Sequence, residues 1–309
     1  MIDLHLHTTA SDGHLSPAQL VDRVAAAGIT TMSVTDHDTV AGLAEVGVVA
    51  AARGIRLVPG IEITSVADGR DVHLLGYFFD PDHAAFLTFL EGQRALRVSR
   101  VREIGARLAL LGMPVDVEAL VTTAATRPGS SVGRPQLARA LVSAGHVSSV
   151  QQAFERWLAT GLPAFVPRTG PSPSTVVDVV HAAGGVVSFA HPAVTRRDDL
   201  IGPLADHGLD AIEVYHSDHL PDDVQQYRGL AQRLGVLVSG GSDFHGDPSA
   251  PLRAGPSTEP MAGTSPGPSA SLRAGSSSRT RRNWLGVVML PPDDFAALER
   301  RAAEIRRPS

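Results

Sequence analysis

Short aliphatic and β-branched runs recur along this chain, and most of them hand over to histidines and acids. The first is Ile2-Asp3-Leu4-His5-Leu6-His7, which reads as a strand over residues 2–5, with Asp12 following in the next loop. Side chains two apart on a strand share a face, so His5 and His7 aim at one point. Neutral imidazole is the commonest metal ligand, and this spacing suits one ion. Thr30 to Thr35 is a second strand and ends in Asp36-His37-Asp38. Arg56 to Ile63 carries Glu62 near its end, and Val72 to Phe79 carries His73 near its start. Gly185 to Ala190 ends in His191-Pro192, and Asp210 to Tyr215 leads through Glu213 to His216. Val236 to Ser239 runs into Gly240-Gly241-Ser242-Asp243-Phe244-His245. Helical stretches lie between many of these strands. Ser16-Pro17 reads as an N-cap with proline at the first helical position, and Gly28 as a C-cap. A second helix spans about residues 40–53. Strand–helix alternation with polar residues at strand ends predicts a parallel, barrel-like α/β fold of about seven strands.

Composition narrows the chemistry. There is no cysteine, which excludes disulfides, thiolate metal sites and a cysteine nucleophile. Any metal must be held by nitrogen and oxygen. All 27 basic residues are arginine, so a lysine Schiff base and a P-loop lysine are excluded. The net charge of −5 is uneven: residues 81–170 carry ten Arg against six Asp plus Glu, a balance of +4 that leaves −9 for the rest. An acidic body with a basic annex fits a metal site that receives an anion. No apolar run approaches the length of a membrane span, and the N-terminus opens on a strand without a signal-peptide pattern. A cytoplasmic protein with no membrane association and no obligate protein partner is the expectation.

The middle of the chain changes character. Residues 1–80 and 165–309 are expected to form the barrel, and residues 81–164 a helical, substrate-binding insertion. Arg94, Arg97, Arg100, Arg102 and Arg107 fall at helical spacing, and most of them read as a solvated face. The loop Arg127-Pro128-Gly129-Ser130-Ser131-Val132-Gly133-Arg134-Pro135 opens a helix, and helix N-termini bind anions. Arg134 is the first choice for a phosphate clamp, because guanidinium matches phosphate geometry. Residues 249–282 are rich in Ser, Gly, Pro, Ala and Arg, repeat Leu-Arg-Ala-Gly, and read as a disordered loop. Structured chain is expected to return at 283–288, and a closing helix at Asp293 to Arg307.

The candidate ligands are then His5, His7, Asp12, His37, Glu62, His73, His191, Asp243 and His245, which include six of the thirteen histidines. Nine are too many for one ion, since zinc takes about four. Two or three ions with a bridging carboxylate are expected.

Taken in order, His5-x-His7, Thr35-Asp36-His37, Gly60-x-Glu62, His73, His191-Pro192 and Ser242-Asp243-x-His245 resemble the motifs of the PHP (polymerase and histidinol phosphatase) superfamily. The resemblance covers the chain apart from the low-complexity loop. It implies a distorted (β/α)7 barrel with three divalent ions, which Mn, Fe or Zn would suit. It places His5, His7, Glu62 and Asp243 on the first ion, Glu62, His73 and His191 on the second, and Asp12, His37 and His245 on the third. It further implies a hydroxide between ions as nucleophile, with no catalytic side chain of the protein. Within the superfamily the chain is most similar to bacterial enzymes with a helical insertion after His73. Those are 3′,5′-nucleoside bisphosphate phosphatases whose relatives trim RNA from the 5′ end, so a nucleotide or a short RNA is the expected substrate. The Gly133-Arg134-Pro135 segment resembles the family's Gly-Arg-Pro-His, with Gln136 in place of histidine, and Leu162 stands where relatives often carry lysine. Both departures fall on expected phosphate contacts. A histidinol-phosphate phosphatase and a non-catalytic PHP module are the alternatives. A basic insertion argues against the first and a full ligand set against the second.

Overall fold

The computed structural model describes residues 1–126, 129–246, 285–286 and 288–307. The loop expected at 249–282, residues 283, 284 and 287 of the returning segment 283–288, and Arg127 and Pro128 lie outside the described residues. Seven strands follow one another around one sheet in chain order: β1 (Ile2–Leu6), β2 (Thr31–Val34), β3 (Arg56–Ala67), β4 (Arg70–Tyr77), β5 (Val186–Phe189), β6 (Ala211–His216) and β7 (Leu237–Gly241). The sheet curls back on itself. Leu6 pairs in parallel with Phe244 just beyond β7, and the His7 N–H donates to the Phe244 carbonyl at 3.0 Å. The result is a nearly closed barrel.

One strand departs from the parallel expectation. β4 pairs antiparallel with β3 and with β5, while the other neighbours are parallel. The cause is local. Asp68-Gly69 joins β3 to β4 with φ of 50° and 72°. Two central residues at positive φ make the tight turn whose twist matches a hairpin, and Asp-Gly is a preferred pair for it. β4 therefore begins at the barrel end where the parallel strands finish, which is why His73, early in β4, belongs with residues that follow other strands. β3 also runs on to Ala67 instead of ending at Ile63, so Glu62 sits within a strand and not at its tip.

The helices are α1 (Pro17–Ala26), α2 (Leu43–Ala52), α3 (Ala84–Leu110), α4 (Val117–Ala125), α5 (Arg134–Ser143), α6 (Val150–Ala153), α7 (Pro173–Ala182), α8 (Pro192–Thr195), α9 (Ile201–His207), α10 (Pro221–Leu234) and α11 (Pro292–Ile305). α1 starts as its sequence demands. Ser16 accepts from the Gln19 N–H, and Gln19 Oε1 accepts from the Ser16 N–H, so two otherwise unpaired donors are satisfied. Its apolar face buries Leu20, Val21 and Val24. Two apolar cores result. The larger contains the barrel and its covering helices, with Ile61, Ile63, Leu74, Leu75 and Phe189 wholly buried. The smaller gathers Val101, Ile104, Leu108, Leu137, Leu141 and Leu158 among the helices that follow β4. α3 belongs to both: Phe86 and Leu90 lie in the first core, Val101 onward in the second. Among the described residues no helix is long and apolar enough to cross a membrane.

Candidate metal centre

All nine expected ligands converge at one end of the barrel. His5 and His7 share a face of β1, as the strand period requires, and both are fully buried. Asp12 is brought in by the loop after β1. That loop is tied down by Asp36, which accepts from the Thr8 N–H at 2.8 Å and from the Ser11 hydroxyl at 2.6 Å. His37 follows β2 and bridges in parallel to Glu62. His191 and Asp243 follow β5 and β7 with φ of 28° and 53°. Such left-handed backbone costs a non-glycine residue about 1–3 kcal/mol, and it persists where surrounding structure enforces it, typically at functional sites.

Glu62 is the hub, and its two oxygens face different partners. Oε2 lies 3.3 Å from His5 Nε2, His7 Nε2 and His37 Nδ1. Oε1 lies 2.6 Å from His73 Nδ1 and 3.1 Å from His191 Nε2. Asp243 Oδ1 completes the first group, 3.4 Å from His5 Nε2 and 3.2 Å from His7 Nε2. Asp12 forms another with His245 Nε2 at 3.3 Å and His37 Nε2 at 3.7 Å. Several of these separations exceed a charged hydrogen bond of about 2.8 Å. They match instead the edge of a tetrahedron with donors about 2.1 Å from its centre, which is about 3.4 Å. Neither ring nitrogen of His7 makes a hydrogen bond, although the residue is buried. The set therefore has the donor types, the spacing and the unpartnered atoms that a metal cluster requires.

The electrostatics agree. Burial opposes a charged His7, yet Asp243, Glu62 and Asp12 outweigh it and hold its pKa at about 10. Burial also opposes an ionised Glu62, but His37, His73 and His5 bring it well below the usual carboxylate range. Asp12 behaves likewise through His245, His37 and His7. His37 goes the other way, pushed down to about 3 by burial. The cluster holds ionised carboxylates in a buried place, which favours cations.

Two further residues, visible in the sequence only as the end of β6, complete the site. Glu213 is fully buried; Oε1 accepts from His5 Nδ1 at 2.8 Å and Oε2 from the His191 N–H at 2.7 Å. It thereby fixes the His5 tautomer that leaves Nε2 bare, in the manner of carboxylates behind metal-binding histidines. His216 accepts from the Asp218 N–H at Nδ1, so its Nε2 carries the proton toward Asp243 Oδ2, 3.4 Å away. His5, Glu213 and His216 also lie close enough to suggest an ion site of their own. These proton positions argue against it, since His5 Nδ1 and His216 Nε2 both donate. Neither residue carries a spacing signal, because each is defined by what it touches across the barrel.

The arginines correct the sequence reading. Arg97 and Arg100 of α3 do not form a solvated face; they are 7 % and 8 % exposed and turn toward the barrel. Arg102 does lie outside, paired with Glu118 at 2.7 Å. Arg134 pairs at 3.3 Å with Asp71, two residues before His73 on β4. Gln136 accepts from the Gly133 N–H at 2.9 Å and donates to the Ser11 carbonyl, tying α5 to the loop that carries Asp12.

The same architecture occurs in known proteins. The PHP domain family matches residues 3–96. A 5′-3′ exoribonuclease of Haemophilus influenzae is 37% identical over 248 residues, covering 79% of this chain and 89% of that protein. A 3′,5′-nucleoside bisphosphate phosphatase of Chromobacterium violaceum is 35% identical over 250 residues, covering 79% and 87%. A solved structure from Bifidobacterium adolescentis, to which metal-dependent phosphoesterase activity is ascribed, superposes with a TM-score of 0.74 at 32% identity, covering 81% of this chain and 90% of that one. Likeness at this level over most of both partners, on a barrel that gathers the motif residues at one end, means that the chain belongs to the PHP domain family.

Proposed function

We propose that the chain is a metal-dependent phosphohydrolase that removes the 3′-phosphate of nucleoside 3′,5′-bisphosphates and trims short RNA from its 5′ end. The observation that carries this reading is the division of labour at Glu62, whose oxygens face His5, His7 and His37 on one side and His73 and His191 on the other. In this reading His5, His7, Glu62 and Asp243 would hold one ion, Glu62, His73 and His191 a second, and Asp12, His37 and His245 a third. The relatives that carry such activities in their names extend over most of the chain.

When bound, divalent ions such as Mn, Fe or Zn supply Lewis acidity and make hydroxide available near neutral pH. The chain's own residues do the rest by placement. Glu213 orients His5, and Asp36 anchors the loop of Asp12. Arg134 neutralises substrate phosphate at the rim. Residues 81–164 act as the substrate-binding insertion in a barrel built from 1–80 and 165–309. No side chain serves as nucleophile.

The test is phosphate release by the metal-loaded chain from adenosine 3′,5′-bisphosphate, histidinol phosphate and a 5′-phosphorylated short RNA, alongside metal analysis. The bisphosphate and the RNA are expected to be hydrolysed and histidinol phosphate to be poor. A wide margin in favour of histidinol phosphate overturns the substrate assignment.

A further inference from the structure

His73 and His191 reach the cluster from separate elements, the β3–β4 hairpin and the end of β5. The loop that follows β5 touches both. α8 starts directly after His191, and its Thr195 lies back against that histidine. The Thr195 hydroxyl donates to the Ala190 carbonyl at 3.3 Å, and its oxygen lies 3.2 Å from His191 Nδ1. A hydroxyl has one proton. With that proton on Ala190, the oxygen accepts from His191 Nδ1 and leaves Nε2 bare. Nε2 is the nitrogen 3.1 Å from Glu62 Oε1. Thr195 thus does for His191 what Glu213 does for His5.

Arg196 then turns the chain at φ 52°, and Arg197 reaches the hairpin. Its Nη1 donates to the Ala67 carbonyl at 3.2 Å and its Nη2 to Asp68 Oδ2 at 2.7 Å, so one guanidinium grips the tip of the turn. Asp199 steadies the guanidinium, accepting from Nε at 2.9 Å and from Nη2 at 2.8 Å. Asp198 ties the same loop to α10 by accepting from the Tyr227 hydroxyl at 3.1 Å. The ladder between β4 and β5 covers Leu74 to Tyr77, whereas the β3–β4 ladder runs on to Ala67 and Arg70. His73 therefore stands in the half of the hairpin that projects past the sheet. Glu62 stands nearer the barrel, where its carbonyl accepts from the Asp38 N–H at 2.9 Å. The Arg197 side chain is 10 % exposed, but those of Asp68 and Asp199 are 82 % and 63 % exposed. Ion pairs with exposed carboxylates add little to global stability, which leaves placement of the hairpin as their main consequence. Resting on the assignment of Glu62, His73 and His191 to one ion, we propose that Thr195 and Arg197 are positioning residues for that ion. Thr195 presents His191 Nε2, and Arg197 holds the arm that carries His73. Two positions on one short loop thereby set two of the three protein ligands, while the groups around Asp243 and Asp12 draw no ligand from it.

The test counts ions. The full chain is loaded with Mn, titrated with a chelator, and its metal content followed beside the thermal unfolding of the metal-free protein. In Thr195→Val and Arg197→Ala one ion is expected to leave about 10–100-fold more readily than in the wild type, with the others held as before and metal-free unfolding little changed. Thr195→Ser, which restores the acceptor, is expected to recover wild-type retention, and Arg197→Lys part of it. Coupling identifies the ion: Thr195→Val is expected to add nothing in a His191→Ala background, and Arg197→Ala nothing in a His73→Ala background. Retention of every ion as in the wild type overturns the proposal. So does a uniform loss of all ions that follows a fall in metal-free stability, since the loop would then only support the fold. Full additivity in the double variants also overturns it. A wild type that binds no ion at the cluster removes the metal assignment and this inference with it. Selective loss of one ion, in a chain that hydrolyses neither the bisphosphate nor the RNA, leaves the positioning roles standing and removes the hydrolytic reading.

Discussion

At the residue scale the centre depends on single atoms held in one protonation state. Glu213 accepts from His5 Nδ1 and also from the backbone at His191, so it links two groups of the cluster. Glu213→Gln keeps the shape but loses the charge behind His5. It is expected to weaken metal retention by about 10–100-fold while the fold persists, read by competition with a chelator and by circular dichroism. Retention equal to wild type would remove Glu213 from the site. Protons compete with metal here. His7 is held at about 10 in the metal-free cluster, above its ordinary 6.5, so below that value the empty cluster carries a proton that an ion must displace. Metal affinity is therefore expected to rise with pH between about 6 and 9, with protons released on uptake. Calorimetry in buffers of different ionisation enthalpy measures that release, and pH-independent uptake without it contradicts the assignment. The nine candidate ligands stood out because histidine and acid at strand ends is an unusual pattern. Glu213, His216 and the buried Arg97 were not, because each takes its role from a partner distant in sequence.

At the element scale one turn and one strand contact decide the geometry. The Asp68-Gly69 turn reverses β4 and brings His73 to the ligand end of the barrel. The number of strands could be read from apolar runs, but the direction of β4 lay in that dipeptide, between two runs that each looked like an ordinary parallel strand. Gly241 matters at the closure. A Cβ there would collide with the backbone nitrogen and Cβ of His5, so only glycine lets β7 pass β1 this closely. Gly241→Ala is expected to destabilise the fold by about 1–3 kcal/mol through overpacking and to loosen the His5 side of the site. Denaturant unfolding together with metal content checks this; unchanged values for both would mean that the strands have room to part.

At the scale of the molecule, a barrel core and a helical core meet along a seam that α3 spans. The sequence displayed the change from alternation to helices near residue 81, and with it the excess of arginine. It could not display that α3 turns those arginines inward, since helical spacing is the same for a solvated face and a seam. Asp38 anchors the seam. Burial opposes its charge, but Arg97 and Arg168 prevail and lower its pKa below the ordinary 3.8. A depressed carboxyl contributes stability that is present above its unfolded pKa and lost as pH falls through the folded one. The seam is thus expected to weaken only below about pH 4. Asp38→Ala, which strands buried guanidinium, is expected to cost about 3–5 kcal/mol at neutral pH. Thermal unfolding of wild type and variant across pH reads both effects, and a variant as stable as wild type at neutral pH contradicts them.

The central claim is that the ligand cluster performs the hydrolysis. It is tested most directly by phosphate release from adenosine 3′,5′-bisphosphate, measured on the full chain after exhaustive chelation, after return of Mn, Fe or Zn, and in His5→Ala and Asp243→Ala. The account predicts activity lost on chelation, restored by metal, and absent from both variants at any metal concentration. Activity that survives chelation, or full activity in either variant, would contradict it.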